Sequence, residues 1–389
     1  MTRDREPSTL PDPLRVVIVG GGVAALEALA ALGPTVPRRV ISTVIAGAAD
    51  FRYRPLLLGE PFGMGYARRY PLDAICADHG AELIADTVVE VMPDMHEVRT
   101  AGDLLVPYDV LIVATGARTH PAFQDGITFD RELSPEDFDE AMADLGDGLA
   151  PHVAIVVPDG VTWTLPAYEL ALRTAAWGRS RHPESSVVTL LTHERAPVEA
   201  FGANVAREVQ DILDAEQIVL RTGVHPDVVT ASALRAAGQW IGADRIISLP
   251  LLAGPRLSGL PCDQKGFVVA GPLGRLVEAP DIYVAGDAAA GSALKQGGLA
   301  AQQADRVVGD IARRCGVRRG APDEGLTLRG ILDTRYGPRF MRATLSDVEG
   351  SSIFSTEPLW WPPTKVSSRW LAPYLARVDV EQPQTGYRR

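Results

Sequence analysis

A chain of 389 residues, 46% hydrophobic and 22% charged, is long enough for two or three domains with large cores and has an ordinary globular composition. Its net charge of −11 argues against a nucleic-acid partner, whose phosphates need a basic face, and against electrostatic docking to anionic lipid. No run approaches about 18 apolar residues, the N-terminal MTRDREPSTLPDP has no apolar leader core, and Cys76, Cys262 and Cys315 lack CxxC spacing. The expectation is therefore a cytoplasmic protein that does not associate with membranes; its thiols are reduced, or one distant redox pair forms.

Residues 15–19 are a wholly apolar strand, 20–22 a glycine turn, and 23–32 an Ala- and Leu-rich helix. Residues 40–46 give the next strand. The stretch 46–72 is too rich in Gly, Pro and Arg for regular structure, and long connections of that kind usually carry function. Residues 96–100 and 104–108 read as a hairpin, and 109–114 as another buried strand closed by Thr115 and Gly116. The acidic RELSPEDFDEAMADLGDG predicts a helix and linker. A second βαβ unit follows, with a strand at 153–157, a helix at about 166–177 and a strand at 187–191. Beyond it come a helix at 203–215 and strands at 217–221 and 244–249. From 281 the chain reads as strand, loop and the helix GLAAQQADRVVGDIARRC. Short strands and a Pro- and Trp-rich string close the chain.

The first glycine turn has the chemistry of a dinucleotide site. Gly20 permits the tight turn, Gly22 lets backbone approach a pyrophosphate, and the small Ala25 lets helix and strand pack closely. The helix N-terminus at Val23 and Ala24 then faces the phosphates with free N–H groups. The ribose-binding acid expected about 20 residues on falls near Ala46 or Gly47, which cannot accept; Asp50 is the nearest carboxylate.

GGGVAALEA, the triplet Ala114, Thr115 and Gly116, and YVAGDAA from Tyr283 together resemble the FAD-dependent pyridine nucleotide–disulfide oxidoreductase superfamily. The similarity is greatest to the branch holding sulfide:quinone oxidoreductases, flavocytochrome c sulfide dehydrogenases and type II NADH dehydrogenases. It implies an α/β fold of two Rossmann-like dinucleotide-binding domains with a small C-terminal α+β segment. The implied division is 12–120 and 263–318 for FAD, 121–262 for a second nucleotide-binding-like domain, and 319–389 for the C-terminal segment. It also implies that Asp287, after Gly286, bonds the flavin ribityl chain and that Ala114, Thr115 and Gly116 lie along FAD. Arg54, Pro55 and Val88 are further implied contacts, as are Lys295, Gln296 and Gly297. The helix opened by Gln296 and Gly297 would direct its positive end at the flavin, where negative charge develops on reduction. Lys295 either adds to that field or is a solvated surface lysine. Ala300, Gln302 and Gln303 resemble a stretch near the quinone of type II NADH dehydrogenases.

The second βαβ unit keeps only Gly160 of its glycines. Asp159 and Trp163 oppose a pyrophosphate by charge and by volume, while Glu194 is placed to hold a ribose. Pro166, Ala167, Tyr168 and Glu169 resemble a sulfide:quinone oxidoreductase segment in which a redox cysteine precedes the proline by three residues; here that position is Trp163. Sulfide oxidation needs a thiolate, which an indole cannot replace. Trp163 either stacks near the flavin and shapes a substrate pocket or plugs the vacated nucleotide site. Glu169 either pairs with Arg173 one helical turn on or moves a proton. The aromatic string at 359–363 packs on the body or on a dimer partner, or covers the flavin or touches a membrane.

The expected protein is an FAD-dependent oxidoreductase acting on a small-molecule substrate or an electron-transfer partner protein, with no metal site. Three alternatives stay open: an NAD(P)H dehydrogenase with a divergent nicotinamide site, a sulfide oxidoreductase, and a non-enzymatic FAD-binding subunit. A homodimer is also open.

Overall fold

The computed structural model describes residues 13–36, 39–130, 135–182, 185–292, 294–317, 325–345 and 351–381. The N-terminal string up to residue 12 and the linker at 131–134 lie outside them. The first of two large sheets is wholly parallel, in the order Ile282–Val284, Val110–Val113, Leu14–Val19, Val40–Ile45, Glu82–Ile84. Its central strands are continuous apolar runs because both faces are covered. On one face the helix Val23–Thr35 packs against the helix Gly297–Arg314. Ala24, Ala25 and Ala28 of the first and Ala300 and Ala304 of the second are buried in that core, and their small side chains permit close approach. On the other face, Val17, Val19, Leu111 and Val113 pack with Val91 and Val98 of the antiparallel strands Val88–Met92, Glu97–Thr100 and Leu105–Pro107.

The second large sheet repeats the plan in the order Ile127–Thr128, Arg245–Ser248, His152–Val157, Val187–Thr192, Val219–Arg221, again parallel. The helix Leu165–Arg181 covers one face, and a three-stranded meander from Pro226 to Gly242 covers the other. An antiparallel sheet of Leu326–Thr334, Gly337–Leu345 and Ser352–Ser355 follows, and then the helix Leu371–Glu381. The fold is thus α/β with two Rossmann-like units and a small C-terminal α+β segment.

The stretch 46–72 departs from its irregular reading. Asp50–Arg52 pairs with Arg69–Pro71, and Arg54–Phe62 winds as a 3-10 helix. Phe51 stacks on Tyr70 at 6.1 Å, and the Tyr53 N–H donates to Arg68 O at 2.8 Å; these cross-strand contacts outweigh poor local propensity. The strands Val88–Met92 and Ile127–Thr128 are additions to the sequence reading, and the helix begun near Pro166 runs on to Arg181. Among the described residues no helix is long and apolar enough to cross a membrane.

Candidate functional site

A cavity of about 760 Å³ opens at the carboxyl ends of the first parallel sheet, between that sheet and the helix Leu165–Arg181. Its floor is the first glycine turn. Gly20 has φ +123°, and a Cβ there would lie 2.2 Å from Ala114 O, so only glycine lets the two strand ends meet this closely. At Gly22 a Cβ would meet nothing within 4 Å, so the backbone itself faces open space at the N-terminus of Val23–Thr35. No side chain caps that helix, which leaves its first N–H groups available for an anion. A bare, electropositive cradle of this kind suits a pyrophosphate.

Every residue expected at the cofactor lines this cavity except one. Val23, Ala24, Arg54, Pro55, Val88, Ala114, Thr115 and Gly116 do so, and so do Gly286, Asp287, Lys295, Gln296 and Gly297. Ala25 does not. It is wholly buried between helix and sheet, where a small residue serves packing rather than cofactor contact. Asp50 lines the cavity near Gly47 and supplies a carboxylate there.

Burial raises the Asp287 carboxyl above its ordinary range, while the charges of Lys295 and Arg54 pull it back. Lys295 is not a solvated surface lysine. It is half-buried, its Nζ donates to the carbonyls of Asp287 (3.1 Å) and Ala289, and it lies 4.2 Å over the Phe267 ring. Burial lowers its pKa, with Asp287 and Asp263 acting against that. The Gln296 side chain accepts from Leu299 N at 2.8 Å and so caps the helix Gly297–Arg314. Gln303, from that helix, accepts from Gly286 N at 2.8 Å and pins the loop carrying Asp287. Gln302 faces elsewhere, bonding both N–H and C=O of Thr327.

The opposite wall comes from the second βαβ unit and the C-terminal segment. Trp163, Leu165, Pro166 and Glu169 line it, joined by Gly330, Ile331, Lys365 and Val366. Trp163 also packs on Phe201 with ring centroids 6.0 Å apart. Glu169 is buried and accepts from Arg173 Nε (3.0 Å) and Nη2 (2.7 Å) and from Lys365 Nζ (2.6 and 2.5 Å). Asp333 completes the cluster, 3.1 Å from Arg173 and 2.9 Å from Lys365.

Glu194 does not reach outward to a ribose. It is buried, and its carboxylate accepts from Thr164 Oγ1 (3.0 Å), Tyr168 Oη (2.7 Å), Thr192 Oγ1 (3.0 Å) and Glu199 N (2.9 Å). Thr164 is the first-turn cap residue of the helix Leu165–Arg181, and it spends its hydroxyl on Glu194 rather than on that helix. A buried, saturated carboxylate therefore stands beside the helix end at which the second pyrophosphate would lie. None of the three cysteines lines the cavity. Cys76 is buried with its thiol pushed up to about 11 by desolvation, Cys262 is exposed and Cys315 half-buried.

Three contributors were missed in the sequence reading: Lys365, Val366 and Glu27. Val366 N donates to Tyr53 Oη at 2.8 Å and its side chain packs on Gly297, so the C-terminal segment closes on the cavity. A signal for Lys365 existed. Only three of the chain's 38 basic residues are lysines, and two of them, Lys295 and Lys365, line this cavity. Glu27 was also visible, as the one charge in an otherwise apolar helix; it holds the C-terminal segment from beneath.

The model of the pyridine nucleotide-disulphide oxidoreductase family matches residues 14–306. No curated protein matches the chain. Among solved structures, the sulfide:quinone oxidoreductase of the hyperthermophilic bacterium Aquifex aeolicus is similar at TM-score 0.77 and 18% identity, covering 88% of this chain and 86% of that one. A ferredoxin reductase from Rhodopseudomonas palustris is similar at TM-score 0.61 and 17% identity, covering 85% of this chain and 82% of its own. NDH2 from Plasmodium falciparum, solved with NADH, is similar at TM-score 0.56 and 13% identity, over 72% of this chain and 65% of its own. At these identities the likenesses are of fold. The family match spans both parallel sheets and the glycine cradle, and the chain belongs to the pyridine nucleotide–disulphide oxidoreductase family, as an FAD-dependent oxidoreductase.

Proposed function

We propose that this flavoenzyme takes its electrons from a small organic substrate or a partner protein rather than from NAD(P)H bound at the second βαβ unit, and passes them to a quinone, oxygen or another acceptor. The observation that carries the reading is the Glu194 carboxylate, buried and saturated beside the N-terminus of Leu165–Arg181. A dinucleotide there would set its phosphates against a fixed negative charge in a low-dielectric site. The lost glycines and the absence of a cysteine from the cavity wall support the same reading.

In this proposal the backbone at Gly20 and Gly22, with the first turn of Val23–Thr35, holds the FAD pyrophosphate, and Thr115, Gly116 and Asp287 lie along the rest of the cofactor. Bound FAD supplies a two-electron acceptor, and the protein supplies position and electrostatics. The capped N-terminus of Gly297–Arg314 and the Lys295 ammonium present positive charge on the cavity wall, which favours a reduced, negatively charged state. Trp163, Pro166 and Val366 form an apolar wall that excludes water. Glu169 acts as an anchor for Lys365 rather than as a proton carrier, because all its near donors are cations already bound to it. The division into a flavin-binding part at 12–120 and 263–318, an inserted part at 121–262 and a C-terminal segment at 319–389 belongs to the same proposal; the two separate parallel sheets support it.

The test is an anaerobic visible spectrum of the purified protein before and after NADH and then NADPH. The expected result is a flavin band that stays oxidised with both and bleaches with an organic or protein donor. Bleaching within seconds by either nicotinamide would overturn the proposal in favour of an NAD(P)H dehydrogenase.

A further inference from the structure

The antiparallel strands Leu326–Thr334 and Gly337–Leu345 set Arg329 directly opposite Arg342. Cross-strand neighbours on one face lie within about 5.5 Å at Cβ, and like charges there repel. Sheets avoid this arrangement unless something compensates it. No compensation comes from the described residues. Among the described residues neither guanidinium makes an ion pair or a side-chain hydrogen bond, and Arg329 Nε is buried with no partner. The other arginines of this hairpin are engaged: Arg335 pairs with Glu216 at 2.7 Å, and Arg339 donates to the carbonyls of Tyr336, Gly337 and Pro338.

Residues two apart on a strand share a face, so Asp333 is the carboxylate on the Arg329 face of its strand. It is already held by Arg173 and Lys365. The residue across from Arg342 on the third strand is Ile353, which offers no charge. The chain has 49 acidic and 38 basic residues, yet among the described residues no carboxylate pairs with either arginine. Burial and the neighbouring Arg342 charge both push the Arg329 pKa down, which is the electrostatic cost of two cations with no anion between them.

The geometry points to a binding site for a small oxyanion, a phosphate or a carboxylate, bridged between the guanidinium groups of Arg329 and Arg342. Guanidinium forks bind such groups with paired N–H···O bonds, and a bridging anion would satisfy Arg329 Nε and remove the repulsion together. Neither arginine lines the flavin cavity, but Arg329 shares its strand face with the cavity residue Ile331, so the site adjoins the cavity. Gly330, between them, also lines the cavity, and Arg329 O accepts from Nε2 of the cavity residue Gln296 at 3.2 Å. An anion held here would steady the strand against which the helix cap at Gln296 rests.

The test is calorimetric titration of the flavin-loaded protein, whose pyrophosphate cradle is already filled, with inorganic phosphate and with succinate at fixed ionic strength. The expected result is one saturable site for at least one of the two, and which of them binds more tightly identifies the oxyanion class. R329Q and R342Q each weaken binding at least tenfold with the flavin content unchanged. R342K keeps the charge but loses the fork and weakens it less. In chloride alone, R342Q is at least as stable as the wild type, because the repulsion is gone. Absence of saturable binding of both anions by the wild type overturns the proposal, as does undiminished binding by R342Q. Should R342Q fail to fold, R342K decides, and wild-type affinity in R342K overturns it.

Discussion

Glu27 and Leu371 stand 344 residues apart and are joined by a hydrogen bond of 2.6 Å, the Leu371 N–H donating to Glu27 Oε2. The other carboxylate oxygen accepts from Arg369 N and Trp370 N at 2.8 and 2.9 Å. A wholly buried acid on the helix of the glycine cradle thus caps the first turn of the helix Leu371–Glu381. The C-terminal segment that brings Lys365 and Val366 to the cavity is fastened to the element that presents the cofactor cradle.

Glu27→Gln removes one of two strong acceptors while preserving shape. It should lower stability by about 1–3 kcal/mol, because the amide NH2 cannot accept and a buried N–H is left without a partner. The pH dependence has a defined sign. Burial raises the Glu27 carboxyl above its ordinary 4.5, against the lowering effect of the three N–H donors. Above 4.5 the folded chain therefore holds this proton more firmly than the unfolded chain, so the group's contribution is fullest below 4.5 and declines as pH rises through the raised value. Urea unfolding of both proteins across pH 4–7 should show the wild-type advantage shrinking as pH rises.

Gly22→Val should leave the fold intact and weaken FAD at least tenfold, about 1.4 kcal/mol. A Cβ at Gly22 meets no protein atom within 4 Å, so the added side chain enters only the cradle. Gly20→Ala should instead damage folding, since its Cβ would strike Ala114 O. Flavin-to-protein absorbance ratios and far-ultraviolet circular dichroism separate the two outcomes.

Trp163 is the one tryptophan that lines the cavity. Titrating FAD into apoprotein should quench tryptophan emission, and Trp163→Phe should remove the largest single share of that quenching. Equal quenching in both proteins would count against the stacking role and leave Trp163 as a core side chain packed on Phe201.

Lys365→Met leaves the buried Glu169 and the half-buried Asp333 with Arg173 alone. Breaking a buried ionic cluster from one side costs about 3 kcal/mol at the lower end of its range, and less where a second cation remains. The double variant K365M/E169Q should recover much of that loss, giving a coupling energy that denaturant unfolding of the four proteins in the cycle measures directly.

Much of the site was legible in the chain because its chemistry is local. A strand, a turn that demands φ > 0 and a helix N-terminus occupy consecutive residues, so Gly20, Gly22 and Val23 announce their own geometry. The second unit was legible in the same way by what it lacks, with Pro158 to Trp163 where glycines would stand. Glu194 was misread because a lone acid after a strand looks the same whether it reaches out to a ribose or turns in to Thr164 and Tyr168; only the packing of the helix against the strand end decides. The stretch 46–72 was misread because its order comes from contacts between Phe51 and Tyr70, not from propensity.

The sequence by itself determined the α/β class, the first glycine cradle and the second turn without its glycines, since apolar runs, turns and helix starts are set by neighbouring residues. Only the tertiary structure decided that the C-terminal segment is part of the site. Lys365 meets Glu169, Val366 meets Tyr53 and Leu371 meets Glu27 across separations of 196, 313 and 344 residues. Such contacts leave no periodic mark along the chain. They exist because a buried carboxylate must find donors wherever the fold brings them, and here it brings them from the chain's other end.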